Sequence, residues 1–280
     1  EIASATAVDV ILRHLREQVA KRSAITPDEL VATLTEAAEL ANSAIFRRAS
    51  SQPELRGMGT TATVATLLGD TLYIAQVGDS RAYLVRDGVA IQLTKDQSLM
   101  QKLIEAGELT EEEAAQSERR NIILQALGPE PSVKLDITHQ QLRRGDVLIL
   151  CSDGLSGLVR PDEIARVVRE EPDLAAACDR LIEMANALGG PDNITVVAAR
   201  FEGSGLAEAK ASDQVGHRVF APSSTPTTAM TDGAAPSIAA PSPEDVAASE
   251  QRRRRGDLYA RLIAAAGALL LVLLAWRLLR

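Results

Sequence analysis

Two aspartates stand where a side chain could do chemistry. Asp153 closes the run Asp-Val-Leu-Ile-Leu-Cys-Ser-Asp within residues 146–155, and Asp192 stands directly before Asn-Ile-Thr-Val-Val at 193–197. The first run reads as a strand buried on both faces. A carboxylate at its carboxyl end is costly to bury unless it is paired or binds a metal. If the two strands are neighbours, Asp153 and Asp192 meet at one end of a sheet, and a divalent cation relieves their repulsion. Oxygen donors without a histidine or cysteine cluster favour Mg2+ or Mn2+ over zinc. Aspartates also cap turns, so spacing alone leaves a plain structural role open for each.

The elements that must position these acids are legible in the patterning. Val8, Ile11, Leu12, Leu15 and Val19 recur at helical spacing. Thr26-Pro27-Asp28-Glu29 offers an N-cap, a proline at the first helical position and a glutamate three residues after the cap, so a second helix starts there. Gly57-Met58-Gly59 breaks the helical pattern. Short β-rich runs at 60–68, 71–77, 81–86 and 89–93 follow, separated by Gly69-Asp70, Gly78-Asp79-Ser80 and Asp87-Gly88. Three tight turns between such runs predict an antiparallel meander. A polar excursion with two short helices spans 94–126, and alternation returns at 133–140. Two amphipathic helices, 161–170 and 173–188, precede the last strand at 193–201. Strands grouped apart from helices predict an α+β fold of packed sheets with helices outside.

Composition sets further bounds. The chain has 280 residues, a net charge of −8 and only three Phe, three Tyr and one Trp, so its core must be aliphatic. The acidic balance argues against a nucleic-acid partner. Cys151 and Cys178 lack metal-ligand spacing and read as reduced, buried thiols. Residues 203–251 lose periodicity and gather Ser, Thr, Ala and Pro, the composition of a disordered linker. Residues 262–276 are apolar or small and predict one transmembrane helix within 252–280. Five arginines precede that run, at 252–255 and 261, against Arg277 and Arg280 beyond it. The positive-inside rule then predicts a single-pass protein of the plasma (inner) membrane with its folded domain, 1–202, in the cytoplasm.

Six separated motifs give the chain a family resemblance. They are Gly57-Met58-Gly59-Thr60-Thr61, Val77-Gly78-Asp79-Ser80-Arg81-Ala82-Tyr83, Leu93-Thr94-Lys95-Asp96, Ala126-Leu127-Gly128, Cys151-Ser152-Asp153-Gly154-Leu155 and Asp192-Asn193-Ile194-Thr195. Over residues 1–202 the chain resembles the metal-dependent, type 2C serine/threonine protein phosphatases in their bacterial form. The resemblance implies two antiparallel β-sheets sandwiched between pairs of helices, a four-layer αββα arrangement. It implies two Mg2+ or Mn2+ ions, with Asp153 and Asp192 as direct ligands and Asp96 helping Asp153 hold a third. Beyond the metal ligands it implies no catalytic side chain: metal-activated water attacks the phosphoester in line. Asp79 and Arg81 read as shaping their turn and pairing locally. The excursion after Asp96 is similar to the family's mobile flap.

Departures from the pattern carry expectations of their own. Gln97 stands where many bacterial members have histidine, and Gln125 where arginine commonly precedes Ala-Leu-Gly. The family's Arg-x-x-Asn-Glu-Asp and Asp-Gly-Met-Gly-Gly motifs would lie upstream of Glu1. The domain is therefore expected to lack its first strands and the aspartate that bridges both metals, and the chain as it stands is expected to be a poor phosphatase. Implied partners are phosphorylated proteins, a serine/threonine kinase acting in opposition, and the membrane. The rival reading is a non-catalytic, membrane-tethered binding module with a degenerate phosphatase fold.

Overall fold

The computed structural model describes residues 1–222. Helix α1 (Ile2–Ala20) leads to α2 (Pro27–Ser51), which starts as its capping box dictates. The Thr26 hydroxyl accepts from the Glu29 backbone N–H, and the Glu29 carboxylate accepts from the Thr26 N–H at 2.8 Å. Strands β1 (Ala62–Leu68), β2 (Thr71–Val77), β3 (Arg81–Arg86) and β4 (Val89–Gln92) follow. Short helices α3 (Leu99–Glu105) and α4 (Glu111–Gln116) occupy the excursion. Next come β5 (Asp136–Gln141), β6 (Val147–Cys151), the single-turn α5 (Asp153–Ser156), α6 (Pro161–Glu170), α7 (Leu174–Ala187) and β7 (Val196–Arg200).

The strands form two antiparallel sheets, ordered β1-β2-β5 and β4-β3-β6-β7. This corrects the meander. Gly69-Asp70 and Asp87-Gly88 do close hairpins, but Gly78-Asp79-Ser80 carries the chain from the first sheet to the second. A short Gly-Asp-Ser link is compatible with either course. Here β3 finds its second partner in β6, so the chain must leave β2 behind.

Apolar clusters hold four layers together. Leu30, Leu34, Ala37, Ala41 and Ile45 of α2 pack with α1 on one face of the first sheet, against Tyr73, Ala75 and Val77. Leu72 and Ile74 meet Ala82, Leu84 and Leu148 between the sheets. Ile164, Val167, Ala177 and Leu181 of α6 and α7 cover the outer face of the second sheet, against Tyr83, Val147 and Ile149. Each buried branched side chain contributes about 1.5–3 kcal/mol relative to exposure. The ion pair Arg86–Asp146 is sealed beside this core, with both side chains buried and oxygen–nitrogen distances of 2.8 and 2.6 Å.

The domain continues beyond residue 202. Residues 203–222, expected to be linker, fold back on the domain: 203–208 bind Arg144, and 218–220 pair with the free edge of β5. The His139 N–H donates to the Arg218 carbonyl, and the Phe220 N–H to the Ile137 carbonyl. Arg143 grips Asp213 through Nε and Nη2 at 2.6 and 3.0 Å, and Phe220 packs edge-on to Tyr73. Backbone pairing to an open sheet edge is independent of sequence periodicity, which is why this strap escapes a hydropathy reading. Among the described residues no helix is long and apolar enough to cross a membrane, and the expected span at 262–276 lies outside them.

Candidate active site

Strands β6 and β7 are neighbours, with Cys151 opposite Val196, so the end of one meets the start of the other. Asp153 therefore sits beside the approach to β7 that carries Asp192. Asp153 opens α5 rather than ending a strand: the chain turns helical as soon as β6 stops. Ser152 binds this turn to the Asp192 loop through three hydrogen bonds, one of them from its own N–H to the Thr195 carbonyl at 3.1 Å. The Ser152 hydroxyl donates to the Asn193 carbonyl and accepts from the Thr195 N–H, each at 3.0 Å. Gly154 lies so close that a Cβ there would stand 2.5 Å from the Asn193 carbonyl oxygen. One carboxylate oxygen of Asp192 accepts from the Asn193 N–H at 2.7 Å, which fixes that side chain's direction.

The link between the sheets brings a third acid. Asp79 is buried, and its carboxyl is raised to about 6 by burial first and by the nearby charge of Asp153 second, with Asp96 adding to it. The Asp153 carboxyl is likewise pushed up, by burial and then by Asp192 and Asp96. The reading of Asp79 as a local turn-former missed its exposure to Asp153's field, which arises because the turn crosses between sheets at their shared end. Gly78 makes the crossing possible: its φ is +105°, and a Cβ would strike Thr61 at 2.4 Å. The Gln76 side chain donates to the Gly78 and Ser80 carbonyls at 3.0 and 3.1 Å, and the Thr61 and Ser80 hydroxyls share a hydrogen bond of 2.9 Å.

Asp96 is held differently. Arg81 engages both its oxygens, Nε at 2.9 Å and Nη2 at 2.7 Å, so the local pairing expected of Arg81 is with Asp96. Burial works against the Arg81 charge, but the bonds to Asp96 and Tyr83 outweigh it and hold its pKa above the ordinary value. Cys151, at the end of β6, is pushed up to about 12 by burial, so it is an inert thiol rather than a nucleophile.

Four aspartates, from the sheet crossing, the first residues of the excursion, α5 and the β7 approach, thus share one electrostatic neighbourhood. Such mutual repulsion fits a cation-binding end, and the all-oxygen donor set suits Mg2+ or Mn2+. The fit is partial: among the described residues no three acidic, histidine or cysteine side chains close into a ready metal cage. The acids act on one another through their charges.

Comparison with known proteins places this geometry. The family model Protein phosphatase 2C matches residues 3–103. The chain is 43% identical over 172 residues to the serine/threonine protein phosphatase PstP of Mycobacterium tuberculosis, covering 61% of this chain but 33% of that protein. It is 37% identical over 197 residues to the serine/threonine phosphatase stp of Listeria monocytogenes, covering 70% of this chain and 77% of that one. A crystal structure of the PstP catalytic domain in complex with two manganese ions superposes with a TM-score of 0.62 at 39% identity, covering 71% of this chain and 80% of that one.

Proposed function

The chain belongs to the protein phosphatase 2C family, and from that membership we propose that it removes phosphate from phosphoserine and phosphothreonine in proteins. The observation that carries this reading is the set of four aspartates at one end of the two sheets, with Asp79 and Asp153 each raised by burial first and by a neighbouring acid second. Asp153, Asp192 and Asp96 would hold Mg2+ or Mn2+, with Asp79 completing the acidic floor. When bound, such ions supply the positive charge that activates water and offsets charge on the phosphate.

The chain's own residues orient that chemistry. Ser152 and Gly154 lock Asp153 to the Asp192 loop. Arg81 turns Asp96 and balances its charge in the metal-free protein. The acids repel an anionic substrate until cations arrive, so metal loading would precede phosphoprotein binding.

The apolar run at 262–276 and the five arginines before it support a tether to the inner membrane, where a serine/threonine kinase would supply the phosphorylated substrates. Purified protein given Mn2+ and a phosphothreonine peptide is expected to release inorganic phosphate only weakly, and Asp153→Asn or EDTA to abolish that release. Undiminished release in EDTA would overturn the metal-dependent reading. Recovery of the protein in the soluble fraction of lysed cells would overturn the tether.

A further inference from the structure

Gln97 directly follows Asp96, is buried, and makes four hydrogen bonds, two of them to the residue before Asp79. Its backbone N–H donates to the Gly78 carbonyl at 3.0 Å, and its side-chain oxygen accepts from the Gly78 N–H at 2.8 Å. One residue thereby holds both polar groups of the residue before Asp79. The side-chain nitrogen donates to an Asp136 carboxylate oxygen at 2.7 Å, at the start of β5. Its carbonyl accepts from the Leu124 N–H at 2.7 Å.

That last bond belongs to a short antiparallel stem. Ser98 bridges Ile123, and the Leu99 N–H donates to the Ile122 carbonyl at 2.9 Å. The stem joins the two ends of the excursion at the residues that flank Asp96 and Ala126. Gln97 is the place where stem, sheet crossing and β5 meet.

We propose that Gln97 is a positioning residue: it clamps the Asp79 turn and the stem of the excursion into one unit, and so sets Asp79 and Asp96 against Asp153. Its use in metal binding rests on the phosphatase reading; the clamp itself does not. The position demands one acceptor and one donor on a single side chain, which an amide supplies. Glutamate has the same shape and keeps the acceptor for the Gly78 N–H, but it loses the donor and sets a second carboxylate against Asp136. Asparagine at 136 would restore a donor facing that glutamate.

The test compares the parent with Gln97→Glu, Asp136→Ala and the double variant Gln97→Glu/Asp136→Asn. Amide hydrogen exchange is followed over residues 76–82 and 97–124 in metal-free protein, and Mn2+ binding by calorimetry. Gln97→Glu is expected to speed exchange in both segments and to weaken Mn2+ about 10–100-fold, as loss of a ligand-orienting partner does. The double variant is expected to recover both. Asp136→Ala, which keeps the Gly78 bond, is expected to show a smaller change of the same kind and serves if Gln97→Glu does not fold.

A lowered melting temperature with unchanged exchange in both segments would reduce Gln97 to a structural residue and overturn the clamp. A parent that binds no Mn2+ would overturn the phosphatase reading, while the exchange result still decides the clamp.

Discussion

Adding one methyl group at Gly154 tests whether the Asp153 turn and the Asp192 loop are in contact as described. An alanine Cβ would sit 2.5 Å from the Asn193 carbonyl oxygen and 3.1 Å from its carbon. Carbon–oxygen contacts settle near about 3.3 Å, so the backbones must part by roughly 0.8 Å. Neither side yields easily, because the Ser152 hydroxyl and N–H already bind the Asn193 and Thr195 carbonyls. Gly154 lies in a helical turn, so alanine costs nothing in backbone conformation and the steric effect stands alone. Overpacking of this kind costs about 1–3 kcal/mol, or roughly 3–10 °C of melting temperature in a domain of this size. Ligand positions tolerate about 0.5 Å, so Gly154→Ala is expected to weaken Mn2+ about 10–100-fold. Calorimetric titration and thermal unfolding read both effects, with Gly205→Ala as control, since nothing lies within 4 Å of a Cβ there. Parent-like Mn2+ affinity and a melting temperature within about 1 °C of the parent would refute the close approach.

Three further outcomes follow from charge and burial. The folded Asp79 carboxyl titrates near 6 against an ordinary 3.8, so the folded state binds the extra proton between those values and metal-free protein should gain stability as pH falls from 7 towards 5. The rise corresponds to roughly 3 kcal/mol at full strength, which solvent screening reduces to about 1; urea unfolding of Asp79→Asn should show that part of the pH dependence removed. Arg86→Met leaves the Asp146 carboxylate buried without its cation and is expected to cost about 3–5 kcal/mol in urea, whereas Arg86→Met/Asp146→Leu should recover most of that. With Cys151 raised to about 12, iodoacetamide at pH 8 should leave it unmodified in folded protein and leave phosphate release unchanged, as peptide mapping and the phosphopeptide assay would show.

Local chemistry was readable where the signal is itself local. Thr26, Pro27 and Glu29 announced the start of α2, and the amphipathic run at 161–170 is α6. Asp153 and Asp192 were legible because charge at the end of an apolar run is conspicuous. Asp79 was not, since Gly78-Asp79-Ser80 has the composition of any tight turn and its importance comes from β6 arriving on the far side of β3. The helical turn at Asp153 was hidden for a similar reason: the run at 146–155 stays apolar past Cys151 while the backbone changes conformation. The strap at 203–222 is held by backbone bonds, by Arg143 and Asp213, and by the scattered side chains Leu206, Val215 and Phe220, which make no regular apolar period.

The crossing at Gly78 also bears on how the chain folds. Each hairpin can form from neighbouring residues, but β2 must wait for β5 and β3 for β6, both delivered after the long excursion. Neither sheet is complete until the other has nearly been built, so the two are expected to fold and melt as one cooperative unit, at the slower rates that distant pairings impose. The acidic end exists only once that unit has closed. Ions that bind there would recognise the native state alone and add stability in proportion to the logarithm of their concentration.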